Sequence, residues 1–105
     1  MRLTSRFHND ALWDLWNAVD HFDAIGPSVG DLFRKAVDDA IDDIEQTPKT
    51  WPEFWSVYRI RMLRKFRYGL IYGVGPTTVQ IMVLADLRRS PEFLKKQLKR
   101  RSSRK

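Results

Sequence analysis

The chain has 105 residues, a hydrophobic content of 43% and a formal net charge of +6, which predict one folded domain and exclude a disordered chain. The lack of cysteine excludes disulfides, a thiol nucleophile and a cysteine-ligated zinc site. No apolar stretch approaches the ~20 residues that span a bilayer, so we expect a cytoplasmic protein without a membrane partner.

Apolar residues at three- and four-residue spacing predict two helices in the first half of the chain. A weakly alternating segment at residues 3–7 precedes them and predicts a first strand. The first helix follows a capping segment at residues 8–10 and ends at Gly26-Pro27, and its apolar stripe comprises Leu12, Leu15, Trp16, Val19 and Phe22. The second helix begins at a capping box at residues 28–31 and ends before Pro48.

Acidic side chains and histidines give no sign of a metal site. The aspartates at positions 38, 39, 42 and 43 lie on the polar face of the second helix, and they lack the glycine and spacing of a calcium-binding loop. His8 and His21 fit no compact zinc motif. We therefore expect no metal and no cofactor.

The periodicity changes to two after Trp55, which predicts strands. Residues 57–62 alternate, and residues 68–74 and 77–85 form a predicted β-hairpin. Ser90-Pro91 begins a short helix, and residues 99–105 are predicted to be a basic, frayed tail. The elements predict an α+β fold of a single domain, residues 1–98: an N-terminal strand, a helical hairpin packed on a small antiparallel sheet, and a short C-terminal helix.

The four tryptophans are interpreted as residues that pack between the helices and the sheet. They lie at positions 13, 16, 51 and 55. The alternative is that at least one is exposed as an anchor for a partner, because tryptophan is enriched at the centres of interfaces.

Basic residues are concentrated in the second half of the chain. Residues 1–50 have a net charge of −5 and residues 51–105 a net charge of +11. Seven of these cations accompany the predicted strands: Arg59, Arg61, Arg64, Lys65, Arg67, Arg88 and Arg89. Their concentration predicts an anion-binding face, and phosphate and carboxylate suit arginine equally well.

Two motifs resemble the RelE/ParE superfamily of toxins from bacterial type II toxin–antitoxin systems, often labelled plasmid-stabilisation proteins. They are Tyr-Gly-Leu-Ile-Tyr at residues 68–72 and Arg-Arg-Ser-Pro-Glu-Phe at residues 88–93. The Pro-x-x-Trp-Pro loop at residues 48–52 agrees in layout. The resemblance implies the fold described above and a cognate, ParD-like antitoxin that forms a hetero-oligomer with the chain.

The superfamily has two activities, and the resemblance favours the second. RelE-like members cleave messenger RNA on the ribosome with basic side chains, here matched by Arg59, Arg61 and Arg88. The arginine expected after the strand tyrosine is Gly69, and Phe93 offers no catalytic hydroxyl. ParE-like members inhibit DNA gyrase, and the ending at residues 88–93 resembles them more. We therefore predict a ParE-like gyrase inhibitor that is not an enzyme; the alternatives are a RelE-like mRNA endonuclease and a decayed toxin acting only as a binding module.

These predictions assign two surfaces. The target surface is expected to comprise Arg59, Arg61, Arg67, Arg88, Arg89 and Phe93. The antitoxin surface is expected to be a shallow apolar groove beside the first helix, comprising Leu12, Trp16, Val19 and Ile81.

Overall fold

Five strands form one sheet, with two helices packed on one face and a third helix on the other. The computed structural model describes residues 2–103. The elements in chain order are β1 (Thr4–Phe7), α1 (Asn9–Ile25), α2 (Pro27–Gln46), β2 (Glu53–Trp55), β3 (Tyr58–Met62), β4 (Tyr68–Val74), β5 (Thr78–Asp86) and α3 (Pro91–Ser102). The α+β class and the order of the predicted elements are confirmed.

The sheet is mixed rather than wholly antiparallel. The strand order is β1-β5-β4-β3-β2, and β1 runs parallel to β5 while the other neighbours are antiparallel. The parallel pair is possible because the helices and three strands separate β1 from β5 in the chain. Strand β2 was not predicted from the sequence. It has only three residues, follows Pro52, and pairs irregularly with β3.

The protein has two hydrophobic cores, one on each face of the sheet, and a bulge in β5 allows this strand to place side chains in both. Tyr72 pairs with Ile81 whereas Ile71 pairs with Val83, so Met82 is the extra residue. Ile81 therefore packs under α1 and α2, while Met82 and Val83 pack with Leu94 and Leu98 of α3 on the opposite face.

The cap that begins α1 is as predicted, but the start of α2 differs from the prediction. His8 caps α1, with Nδ1 accepting from the Asp10 amide at 3.0 Å. The predicted capping box at residues 28–31 is wrong: α2 begins at Pro27, after Gly26, and Ser28 lies in its first turn. Proline favours the first helical position because its φ is preset and its missing N–H is not needed there.

Helix α3 continues through the segment predicted to be a frayed tail. It ends at Ser102, and Arg101 in its last turn is only 6% exposed. Its Nη1 and Nη2 groups donate to the two carboxylate oxygens of Asp14 in α1 at 2.6 and 3.0 Å. The prediction of a frayed tail from residue 99 is therefore wrong for residues 99–102, which form the packed end of α3. Residues 104–105 lie outside the described range.

The pair formed by Arg101 and Asp14 also closes an open edge of β5. Strand β1 pairs only with residues 78–81, so the rest of that edge has no strand beside it within residues 2–103. Arg101 donates to the Met82 carbonyl at 2.8 Å, and Asp14 accepts from the Leu84 amide at 3.1 Å. The ion pair thus satisfies backbone groups that a neighbouring strand would otherwise bind.

Glu45 of α2 connects this helix to β1 through hydrogen bonds. Its carboxylate accepts from the Ser5 hydroxyl at 2.6 Å and the Ser5 amide at 3.1 Å, and also from Arg2 at 2.7 Å. These bonds, that from the Ser5 hydroxyl foremost, lower the pKa of Glu45 below its ordinary value.

We expect Glu45→Gln to lower the free energy of unfolding by about 1 kcal/mol at pH 7, because charge-assisted hydrogen bonds become neutral ones. Since the folded pKa is depressed, this stabilisation is present above the unfolded pKa of about 4.3 and is lost as the pH falls through the folded value. Urea unfolding of both proteins across pH 3–7 measures it. A difference that does not shrink in acid would contradict this role.

Candidate partner-binding and target-binding surfaces

Arg59 and Arg61 lie on the helix-facing side of β3, opposite Tyr72 and Leu70 of β4. The Arg61 guanidinium lies 4.5 Å from the centroid of the Trp51 ring and 2.8 Å from an Asp43 carboxylate oxygen. Arg59 donates to the Trp51 carbonyl at 2.8 Å. Both side chains are thus bound within the chain, and contact with a target requires them to exchange these partners.

The remaining predicted target residues lie together at one end of the sheet; Arg67, Arg88, Arg89 and Phe93 are called the basic end below. Arg67 belongs to the β3–β4 turn, and its carbonyl accepts from the Leu87 amide at 2.9 Å. Arg67 and Arg88 line a shallow cavity of about 200 Å³. The fold therefore brings the turn and the β5–α3 connection onto one surface.

Local contacts fix the two arginines that follow β5. Arg88 donates to both oxygens of Asp86, at 2.9 and 2.8 Å. Hydrogen bonding from Arg88 lowers the pKa of Asp86. The Arg89 guanidinium lies 4.6 Å from the centroid of the Phe93 ring. Both cations are held in place at the surface, with Arg89 stacked on an aromatic ring.

A groove of about 290 Å³ extends from the basic end between α1 and α3. Its lining includes Asn17 and Ala18 of α1, Leu84 of β5, and Phe93 and Gln97 of α3. The groove contains both apolar and polar groups, which suits a peptide segment better than a compact anion.

An exposed aromatic pair lies on α1. Trp13 and Trp16 are 60% and 53% exposed, and their rings meet edge to face with centroids 5.3 Å apart. The alternative interpretation of the tryptophans, an exposed anchor, therefore applies to these two, whereas Trp51 and Trp55 pack against the cores. Two large exposed aromatic rings in contact are typical of an interaction site.

The four residues predicted for the antitoxin surface do not all reach the surface. Trp16 is exposed, and Leu12 and Val19 are half-buried on the same helix. Ile81 is fully buried beneath the helical hairpin, so its side chain offers no contact to a partner in this structure. Trp13, which the predicted antitoxin surface does not include, is exposed beside Trp16, and its position outside the predicted apolar stripe was the available signal of that exposure.

Two of the three arginines matched to a nuclease, Arg59 and Arg88, start from positions that are well separated along the sheet. Arg59 pairs with Tyr72, whereas the strand that leads to Arg88 ends opposite Tyr68. These positions are four residues apart on β4, or about 13 Å at ~3.3 Å per residue. A Cβ at Gly69 would lie 3.0 Å from Ile60 Cδ1, so a larger side chain there requires Ile60 to move.

No helix within residues 2–103 is both long and apolar enough to cross a membrane. Within the same residues, no group of three or more histidine, aspartate or glutamate side chains is arranged to hold a metal ion.

No family model matches the sequence, and no curated protein matches it. Among solved structures, a chain from the chromosomal ParDE toxin–antitoxin system of P. aeruginosa has the same fold. The TM-score is 0.68 at 16% sequence identity, over 79% of this chain and 94% of that chain. The fold expected from the resemblance to RelE/ParE toxins is thereby confirmed.

Proposed function

We propose that this chain is the toxin of a type II toxin–antitoxin system, that it inhibits DNA gyrase in the manner of ParE, and that a cognate antitoxin neutralises it. The observation that carries the proposal is the shared fold, which extends over 94% of a chain from a ParDE system. The exposed tryptophan pair and the basic end supply the two surfaces that such a toxin requires, one for the antitoxin and one for the target.

The antitoxin surface is proposed to centre on Trp13 and Trp16, with Leu12 and Val19 beside them. Large exposed rings can be covered by the apolar residues of a segment that folds on binding. The ion pair of Asp14 with Arg101 joins this helix to the basic helix α3. An antitoxin tail that combines apolar and acidic residues matches such a surface in both shape and charge.

The target surface is proposed to be the basic end. Arg89 lies over the ring of Phe93, which is 38% exposed, and Arg67 and Arg88 line a neighbouring cavity. An exposed ring bordered by arginines is a composition typical of binding hot spots. Arg59 and Arg61 remain predicted target contacts. To bind a target, they would have to exchange their bonds to the Trp51 carbonyl and the Asp43 carboxylate for bonds to that target.

The nuclease alternative uses Arg59, Arg61 and Arg88 as catalytic groups. Their separation along the sheet and the absence of an arginine at Gly69 favour inhibition by binding over RNA cleavage, because phosphodiester cleavage needs converging cations.

We expect the double substitution Trp13→Ala and Trp16→Ala to weaken antitoxin binding by at least 30-fold, about 2 kcal/mol, while the chain remains folded and toxic. The rings are exposed, so their removal costs the isolated chain little. Calorimetric titration with the antitoxin measures the loss. The matched control is Leu32→Ala, at an equally exposed position of α2; equal losses in both variants would place the antitoxin elsewhere.

Induced expression of the chain in bacteria tests the proposal. Growth arrest with relaxed plasmid DNA and intact messenger RNA supports gyrase inhibition, and co-expression of the antitoxin should restore growth. Cleaved messenger RNA with normal plasmid supercoiling would instead support the nuclease. Unimpaired growth at high expression would support a decayed toxin.

A further inference from the structure

Away from its buried side, α3 carries four cations, of which three are exposed and Lys95 is half-buried. Lys95, Lys96, Lys99 and Arg100 form no side-chain ion pair or hydrogen bond within residues 2–103. Cations of the helical hairpin behave differently, since Arg34 pairs with Asp23 and Lys35 with Asp39. Glu92, four residues before Lys96 on the same helix, forms no ion pair with the cations of α3 within residues 2–103.

The helix that carries these cations is firmly held. Leu94 and Leu98 are buried against the sheet, and Arg101 is bound to Asp14. All three project from one side of α3, so the helix uses its apolar side for the core and presents the cations on its other side. A partner does not have to order this helix, which removes part of the entropic cost of binding.

The types of side chain exposed on α3 indicate which class of anionic partner this helix suits. C-terminal to Phe93, whose ring is stacked with Arg89, the exposed positions of α3 are all polar, and Pro91 at the start of the helix is the other exposed apolar residue. Insertion into a membrane needs an apolar face, a peptide that folds on binding needs apolar anchors, and single-stranded nucleic acid needs aromatic platforms. A nucleic-acid duplex needs only cations, because it carries one phosphate charge per ~1.7 Å of its axis.

We propose that the cationic side of α3 binds the phosphate backbone of duplex DNA without sequence preference. Lys96 and Arg100 lie one helical turn apart, with a rise of about 6 Å between them, so several side chains can reach neighbouring phosphates at once. The tryptophans at the centre of the proposed antitoxin surface lie on α1 rather than on α3, and the proposal does not rest on the proposed toxin function.

Fluorescence anisotropy with a labelled mixed-sequence duplex, at salt concentrations between about 50 and 200 mM, tests the proposal. The full chain is compared with the triple variant Lys96→Gln, Lys99→Gln and Arg100→Gln. Loss of three phosphate contacts should reduce the slope of log K against log salt concentration by roughly 2.7. These side chains are exposed, and circular dichroism verifies that the variant is folded.

The matched control is Arg6→Gln, Lys35→Gln and Lys49→Gln, which removes the same charge from exposed positions outside α3. We expect the control to retain the original slope. Equal effects in the two variants would overturn the proposal in favour of a net-charge effect. It would also be overturned if poly-glutamate at equal charge displaced the duplex completely, or if duplex RNA bound more tightly than duplex DNA.

Discussion

Arg101→Met should lower the free energy of unfolding by about 3–5 kcal/mol, the range expected when one partner of a buried ion pair is removed. The substitution leaves the Asp14 carboxylate in a site that is largely closed to water, with a side-chain exposure of 20%. It also removes the donor bound to the Met82 carbonyl. Because methionine retains much of the side-chain volume, the decrease in the free energy of unfolding comes from the lost charge and hydrogen bonds rather than from a cavity.

Urea denaturation measures this loss, and two further variants test its origin. Arg100→Met, at the exposed neighbouring position, should change stability by less than about 0.5 kcal/mol. In a double-mutant cycle, Asp14→Ala and Arg101→Met should show a coupling energy above about 1.5 kcal/mol. A cost below about 1 kcal/mol for Arg101→Met would contradict the structural role of the pair.

The double substitution Arg88→Ala and Arg89→Ala should abolish growth arrest, or raise the toxin concentration needed for half-inhibition of its target by at least about 30-fold. It removes the two arginines of the basic end that follow β5 and uncovers the Phe93 ring. The effect on stability should be small, because the pair of Arg88 with Asp86 is exposed.

The control for charge alone is Arg6→Ala with Lys49→Ala, which removes two exposed cations outside the basic end; Arg6 lies opposite Gln80, away from the end of β5 that leads to Arg88. It should leave growth arrest unchanged. Binding of the antitoxin to the Arg88 and Arg89 variant should also be retained, since the tryptophans on α1 are intact. A fully toxic variant would show that the target surface is elsewhere.

Local periodicity was sufficient to predict most of the fold. The helical hairpin, the β4–β5 hairpin and the cap at Ser90 follow from spacings that depend on neighbours in the chain. The parallel pairing of β1 and the short strand β2 depend on contacts between distant residues. Arg101 illustrates the same limit: it lies in a basic run that is typical of a solvated tail, and only Asp14, 87 residues earlier, makes it a buried group.

The candidate surfaces were predicted less completely than the fold. Alternation placed Arg59 and Arg61 together on one face, but it could not show that this face meets Trp51 and Asp43 instead of solvent. Ile81 was assigned to a partner surface because an apolar strand residue carries no sign of the depth at which it is buried. A spacing of four and three residues links Leu94, Leu98 and Arg101, and this was the available signal that the C-terminal helix continues.

DNA supercoiling by purified gyrase tests the central claim most directly. The chain should block supercoiling as its concentration rises, and addition of the antitoxin should restore it. Full supercoiling in the presence of an excess of the folded chain would contradict the account.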